Sequence, residues 1–318
     1  MMTITGSVKG IRMRRRTSVV STVRTHDGVA LSVLDSRARP ASGSAATRPP
    51  AAGPTTDTDS AVVLLTGLGS SRTVWDRVIG RLGPRHRVIT YDYRGHGRSS
   101  AAGDYGFEAL LDDLDAVLAA TAVAKPVLCG WSLGADLAVW YAARRPGSVT
   151  GVLALDGAIP VPRADPTLAD LSLADPSLAD SSLAAPDPNE PRNRMATTVE
   201  RLVGWLARML GVGHRLTPDQ LRRLLDEVDH RRARVLDAYG SITVPVTVAL
   251  SGRPMPGAVT GGGNTTTASD QARWKAAAEQ LTAAFPEVEL HWLDCDHAIP
   301  LRNPDTVATM LTASATAT

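Results

Sequence analysis

The chain has 318 residues, 43% of them hydrophobic and 21% charged, and 34 Lys plus Arg stand against 32 Asp plus Glu for a net charge of +2. This length suits one large domain with added segments, and the near balance of charge removes any electrostatic reason to expect nucleic acid or an anionic membrane as partner. Only Cys129 and Cys295 are present and the seven histidines are scattered, which excludes a disulfide framework and leaves no Cys/His spacing for a metal.

Residues 1–16 carry Arg12, Arg14, Arg15 and Arg16, and the stretch after them is too short and too polar for a secretory signal; we expect a disordered basic extension. Alternating β-branched runs over 19–24 and 29–35 flank Asp27-Gly28, a hairpin dipeptide. Residues 38–60 turn to Ala, Pro, Gly, Ser and Thr, the composition of a flexible loop. Strand and helix patterns then alternate: strand 61–65, helix 74–82, strand 87–91, helix 107–120, strand 126–129, helix 133–144 and strand 151–155. That order predicts an α/β fold with a mainly parallel sheet and helices on both faces.

The alternation stops after Asp156. Residues 165–184 repeat every five positions with Leu-Ala at each end, a period that fits neither a helix face nor a strand face, and we read 165–191 as a low-complexity insertion. Helical spacing returns over 196–210 and 218–239, the second with Thr217 as N-cap, so 158–240 is expected to form a helical lid. Strand 244–250, a Gly/Thr-rich loop over 257–268, helix 270–284, strand 288–293 and helix 304–313 follow. The expected organisation is a core in two parts, 17–157 and 241–318, separated by the lid, with about eight strands. No run of 18 apolar residues is present, which predicts no transmembrane segment and, with the cysteine count, a cytoplasmic protein whose partner is a small molecule.

The chemistry-bearing stretch is Gly130-Trp131-Ser132-Leu133-Gly134, after a strand pattern and before a helix pattern. Glycines two residues before and after the serine let strand and helix approach closely, which leaves the serine hydroxyl exposed at the tip of a strained turn. A serine hydroxyl is a poor nucleophile at neutral pH and needs a base to take its proton. His297, in Leu293-Asp294-Cys295-Asp296-His297 just past the last strand, is the candidate, because the other histidines fall in the hairpin, turns, strands or lid.

Three further landmarks accompany this motif: Thr66-Gly67-Leu68-Gly69 with Trp75 after the third strand, Asp92-Tyr93-Arg94-Gly95-His96-Gly97-Arg98-Ser99 after the fourth, and His297 near the end. Taken in order, these resemble the α/β-hydrolase fold family over most of residues 20–314. The resemblance implies an eight-stranded, mainly parallel sheet with a helical lid, and a serine hydrolase of the esterase type. It would form an acyl-enzyme on Ser132 with His297 as general base, acting on a small-molecule acyl substrate without metal or organic cofactor. It also places oxyanion donors at the backbone N–H groups of Leu68 and Leu133, and Trp75 and Trp131 either along an acyl pocket or in the core. Asp92 is expected to hold its own turn by bonding nearby backbone and Arg94.

The acid of the triad departs from the pattern. The family most often carries it after the strand that here ends at Leu250, and that position reads Ser251-Gly252-Arg253-Pro254-Met255, with no carboxylate. Asp156, ending the preceding strand, is the best substitute and keeps the order Ser, Asp, His. It could equally be a turn aspartate that opens the lid, and Asp294, Asp296 or a dyad without an acid stay open. Two other functions compete. A non-catalytic receptor or scaffold on the same fold would explain the missing acid. An NAD(P)-dependent oxidoreductase would use Gly67-x-Gly69 and Asp92, although the third glycine of that fingerprint is Arg72 and Ser132 and His297 would go unexplained.

Overall fold

The computed structural model describes residues 19–36, 61–161, 213–253 and 268–316. The expected basic extension, the 38–60 loop, the five-residue repeats and the 196–210 helix lie outside the described residues. Strands β1 (Val19–Arg24) and β2 (Ala30–Asp35) form the hairpin that Asp27-Gly28 predicts. Then come β3 (Val62–Leu65), a 3-10 turn (Arg72–Trp75) leading into α1 (Asp76–Leu82), β4 (Val88–Tyr91), α2 (Phe107–Thr121), β5 (Val127–Trp131), α3 (Leu133–Arg144) and β6 (Gly151–Leu155). After residue 213 follow α4 (Pro218–Arg232), α5 (Val235–Tyr239), β7 (Val246–Ser251), α6 (Ala268–Ala284), β8 (Glu289–Leu293), α7 (Ile299–Arg302) and α8 (Pro304–Thr316).

The eight strands form one sheet in the order β1-β2-β4-β3-β5-β6-β7-β8. The pairs β1–β2 and β2–β4 are antiparallel and the other neighbours parallel. Strands β3 to β6 are buried at every position, as runs of Val, Leu and Ile in a sheet covered on both faces must be. Alternation assigns the faces. Val63, Leu65, Ile89 and Leu128 pack with Leu110, Leu114, Leu137 and Leu281 of α2, α3 and α6. Val62, Leu64, Val88 and Val127 pack with Val78, Leu82, Val307 and Leu311 of α1 and α8. Each such side chain contributes about 1.5–3 kcal/mol on full burial.

The sequence predicts one helix over 218–239, and the structure breaks it at Ala233–Arg234. Its start is as expected: Thr217 accepts from the Gln220 amide, the Gln220 side chain accepts from the Thr217 amide, and Pro218 takes the first helical position. At its end Arg232 reaches the buried carboxylate of Asp136 on α3. After the break, Val235, Ala238 and Tyr239 turn into the core.

Topology selects where a site can form. From β3 the chain moves outward to β4 and then returns to the other side of β3 for β5, so the loops after β3 and β5 diverge at adjacent strand ends and leave a crevice there. Gly130 and Gly134 permit the closeness this needs: a Cβ on Gly130 would lie 1.9 Å from the Gly134 carbonyl oxygen, and one on Gly134 would lie 2.4 Å from that of Leu65. Gly130→Ala is therefore expected to lose about 3 kcal/mol or more of unfolding free energy. By contrast, at Gly80 in α1 a Cβ meets nothing within 4 Å, and Gly80→Ala should be neutral or gain up to about 1 kcal/mol from helix propensity. Urea unfolding of both variants checks the contrast, and matching midpoints would contradict it.

Candidate active site

Ser132 joins β5 to α3 with φ 56° and ψ −120°, a conformation that costs a non-glycine residue about 1–3 kcal/mol. Its amide donates to the Leu155 carbonyl at 2.8 Å, extending the β5–β6 ladder, and its own carbonyl accepts from Ala135 (2.8 Å) and Asp136 (3.3 Å) to begin α3. The backbone is held on both sides. The side chain does not cap the helix and stays partly exposed, so the hydroxyl is not consumed by the fold.

The loop after β3 lies against this turn: a Cβ on Gly67 would stand 3.3 Å from Cβ of Ser132 and 3.1 Å from the Trp131 ring. Leu68 follows directly and is partly exposed. The Leu133 amide, first in α3, has no intrahelical acceptor and sits at the positive end of the helix dipole. Both segments expected to supply oxyanion donors therefore border Ser132.

Asp156 directly follows β6, one residue past the Trp131↔Leu155 and Leu155↔Ala249 pairs, between Ser132, just after β5, and Ser251, the last residue of β7. It is only 3% exposed, with φ 51°. Its amide donates to the Ala249 carbonyl at 2.8 Å. Oδ1 accepts from the Ser251 amide at 2.8 Å, and Oδ2 accepts from Ser251 Oγ at 2.8 Å and from His297 Nδ1 at 2.6 Å. Because the carboxylate accepts at Nδ1, a neutral His297 carries its proton there and leaves Nε2 as the basic nitrogen. Trp131 holds the histidine from the other side, its Nε1 donating to the His297 carbonyl at 2.7 Å and its ring centroid 5.3 Å from the imidazole. The competing carboxylates are engaged elsewhere: Asp296 accepts from the Ala298 amide and pairs with Arg302, and Asp294 pairs with Arg253.

Other expected residues separate. Trp75 is fully buried and packs in the core with Val78, Leu82 and Ile299, whereas Trp131 keeps 8% exposure against His297. Asp92 does hold backbone, accepting from the Arg72 amide (2.7 Å) and the Arg98 amide (3.0 Å). It is not paired with Arg94 as expected, because that guanidinium turns to Asp113 (2.7 and 2.8 Å) and Asp27 (3.0 Å). With both oxygens of Asp92 spent on amides, the ribose-binding role of the oxidoreductase reading loses its acid. Burial raises the Cys129 thiol, and burial together with Asp156 pushes Cys295 up to about 11; neither is a ready nucleophile. Among the described residues no group of three His, Cys, Asp or Glu gathers as a metal site, and no helix is long and apolar enough to cross a membrane.

Two features escape sequence reasoning. Ser251 marks only the missing carboxylate in the pattern, yet it donates twice to Asp156. Residues 213–215 are also strapped to the loops after β3 and β4: the Gly213 amide donates to the Gly69 carbonyl at 2.8 Å, His214 bridges to His96, and Arg215 donates to the carbonyls of Gly95, Gly97 and Ser99. His96 is 2% exposed, and burial, outweighing a hydrogen bond to the Arg94 carbonyl, lowers its pKa to about 4; burial also lowers His214.

The family model described as alpha/beta hydrolase fold matches residues 60–242. The chain belongs to the α/β-hydrolase fold family. The match contains the Gly67 loop, Ser132 and Asp156 and ends before Ser251 and His297, so the contact of His297 with Asp156 carries the histidine's placement. Among curated relatives, a 3-oxoadipate enol-lactonase from Acinetobacter baylyi is 34% identical over 93 residues, 28% of this chain and 35% of that protein. A putative carbamate hydrolase from Variovorax paradoxus is 40% identical over 97 residues, 29% and 36% of the two chains. The matched stretch thus spans about a third of these relatives. The enol-lactonase structure from Burkholderia xenovorans LB400 shares the fold at a TM-score of 0.61 and 19% identity, covering 93% of this chain and all of that one.

His96 gives this hydrolase-fold strap a pH dependence. Its folded pKa of about 4 lies below the unfolded value of about 6.5, so between these limits the unfolded chain binds more protons and stability falls as pH drops. Between pH 7 and pH 5 the parent is expected to lose about 2 kcal/mol more than His96→Asn, which keeps a donor toward the Arg94 carbonyl. Urea unfolding at the two pH values tests this, and equal losses would contradict it.

Proposed function

We propose that the chain is a serine hydrolase cleaving a small-molecule carboxylic ester or related acyl bond through an acyl-enzyme on Ser132. The observation that carries the reading is the 2.6 Å hydrogen bond from His297 Nδ1 to the buried Asp156. It leaves Nε2 free as a base, and it fills the role that the carboxylate-free Ser251–Met255 segment leaves vacant, which removes the chief reason to prefer a receptor or scaffold. The names of the relatives, an enol-lactonase and a carbamate hydrolase, point the same way, to hydrolysis.

In this mechanism Ser132 Oγ attacks the carbonyl carbon while His297 Nε2 takes its proton, and Asp156 steadies the imidazolium. The negative charge that develops on the carbonyl oxygen meets the Leu68 and Leu133 N–H groups, each worth about 3 kcal/mol to the transition state. His297 then gives its proton to the leaving oxygen as that bond breaks. Water, deprotonated by His297, attacks the acyl-enzyme and releases the acid, and Ser132 recovers its proton. No step calls on a metal or organic cofactor. Trp131, whose ring lies 5.3 Å from the imidazole, would line the acyl pocket.

Hydrolysis of a p-nitrophenyl ester series is expected to fall at least about 10³-fold in Ser132→Ala and His297→Ala, and by about 10²–10⁴-fold in Asp156→Asn. A fluorophosphonate should label the parent and not Ser132→Ala. Parental turnover by Ser132→Ala would overturn the assignment, and a folded parent that takes no label and hydrolyses nothing would favour the receptor.

A further inference from the structure

We propose that Ser251 is a positioning residue for the acid, fixing the plane of the Asp156 carboxylate so that Oδ2 stays aimed at His297 Nδ1. The inference rests on the Ser132, His297 and Asp156 reading above.

The serine grips the carboxylate at both oxygens, through its amide to Oδ1 and its hydroxyl to Oδ2, each at 2.8 Å. It stands at the rigid end of β7, where the ladder to β8 closes at Ser251↔Leu293, and it occupies the strand end at which the family usually carries the acid itself. The backbone of Asp156 needs such help. Both Asp156 (φ 51°) and Ala158 (φ 56°) are left-handed, and a Cβ on Gly157 between them would lie 2.6 Å from the Ser132 carbonyl. The far side of this turn is tied by the Ala158 amide to Asp136 Oδ1 (3.1 Å) and by Tyr239 OH to the Ala158 carbonyl (2.9 Å). Those bonds fix the main chain but not the carboxylate's rotation. Without the Ser251 hydroxyl the group can pivot about the single amide bond to Oδ1, and Oδ2 loses its aim at Nδ1.

The hydroxyl also shares Oδ2 with His297. Two donors on one oxygen, together with the amide on the other, leave the carboxylate a single rotation that satisfies all three bonds. The other charges around the pair are already matched: Asp136 with Arg232 across α3 and α4, Asp296 with Arg302, and Asp294 with Arg253, while the buried Cys295 thiol remains protonated. Removing the hydroxyl leaves all of them in place, so a change in turnover follows from Ser251 alone.

The test is p-nitrophenyl ester hydrolysis by the full chain and by Ser251→Ala, Ser251→Thr and Asp156→Asn. Ser251→Ala is expected to lower kcat about ten-fold with KM within about two-fold. Ser251→Thr, which keeps the hydroxyl, should restore kcat. An unchanged kcat in Ser251→Ala overturns the proposal. So does a lowered kcat that threonine does not rescue, which is the outcome for a merely structural serine. Full activity in Asp156→Asn would instead overturn the underlying triad reading, so the two failures are distinguishable.

Discussion

A carboxylate that is almost fully buried at the end of a parallel strand must find donors or give up its charge, since an unpaired ion in a protein interior costs several kcal/mol. At Asp156 the donors are the Ser251 amide, the Ser251 hydroxyl and His297 Nδ1. They arrive from two directions. Ser251 comes from the neighbouring strand in fixed register, and His297 from the loop beyond the last strand. Meeting the needs of one buried charge thus draws the second part of the core, after residue 241, onto the first.

The same sheet edge explains why the serine is available. Its turn is strained, with φ 56°, and it persists because the surrounding bonds leave little choice: the Leu155 carbonyl behind, the α3 amides ahead, and two glycines that allow strand and helix to touch. Strain held by a rigid frame exposes a hydroxyl that a relaxed turn would fold back onto its own backbone. Trp131, between Gly130 and Ser132, serves both sides, since its ring packs beside Gly67 and His297 and its N–H fixes the histidine loop.

Sequence disclosed what depends on local pattern. Strands β3 to β6 were legible as short, continuous apolar runs because both faces of the sheet are covered, and Ser132 and Leu133 because the glycine spacing is a steric requirement. His297 and Asp156 were legible only through their order along the chain and, for Asp156, through the want of a carboxylate after Leu250. Features that answer to distant partners stayed hidden. The break at Ala233–Arg234 interrupts a continuous helical period at the point where Arg232 pairs with Asp136 on another helix and Val235 turns into the core. Arg94 pairs with Asp113 of α2, while the Asp92 oxygens accept from the Arg72 and Arg98 amides. Ser251, a residue type with no pattern of its own, gains meaning only when β6 and β7 are laid side by side.

The account stands on the hydrogen bond between His297 Nδ1 and Asp156. Proton NMR reads it directly, because an imidazole N–H held by a carboxylate resonates far downfield of the amide protons. The account predicts such a resonance in the parent and in Ser132→Ala, and its loss in Asp156→Asn and in His297→Gln. Its survival in Asp156→Asn at the parental position would mean that another group holds the histidine, and the central claim would be wrong.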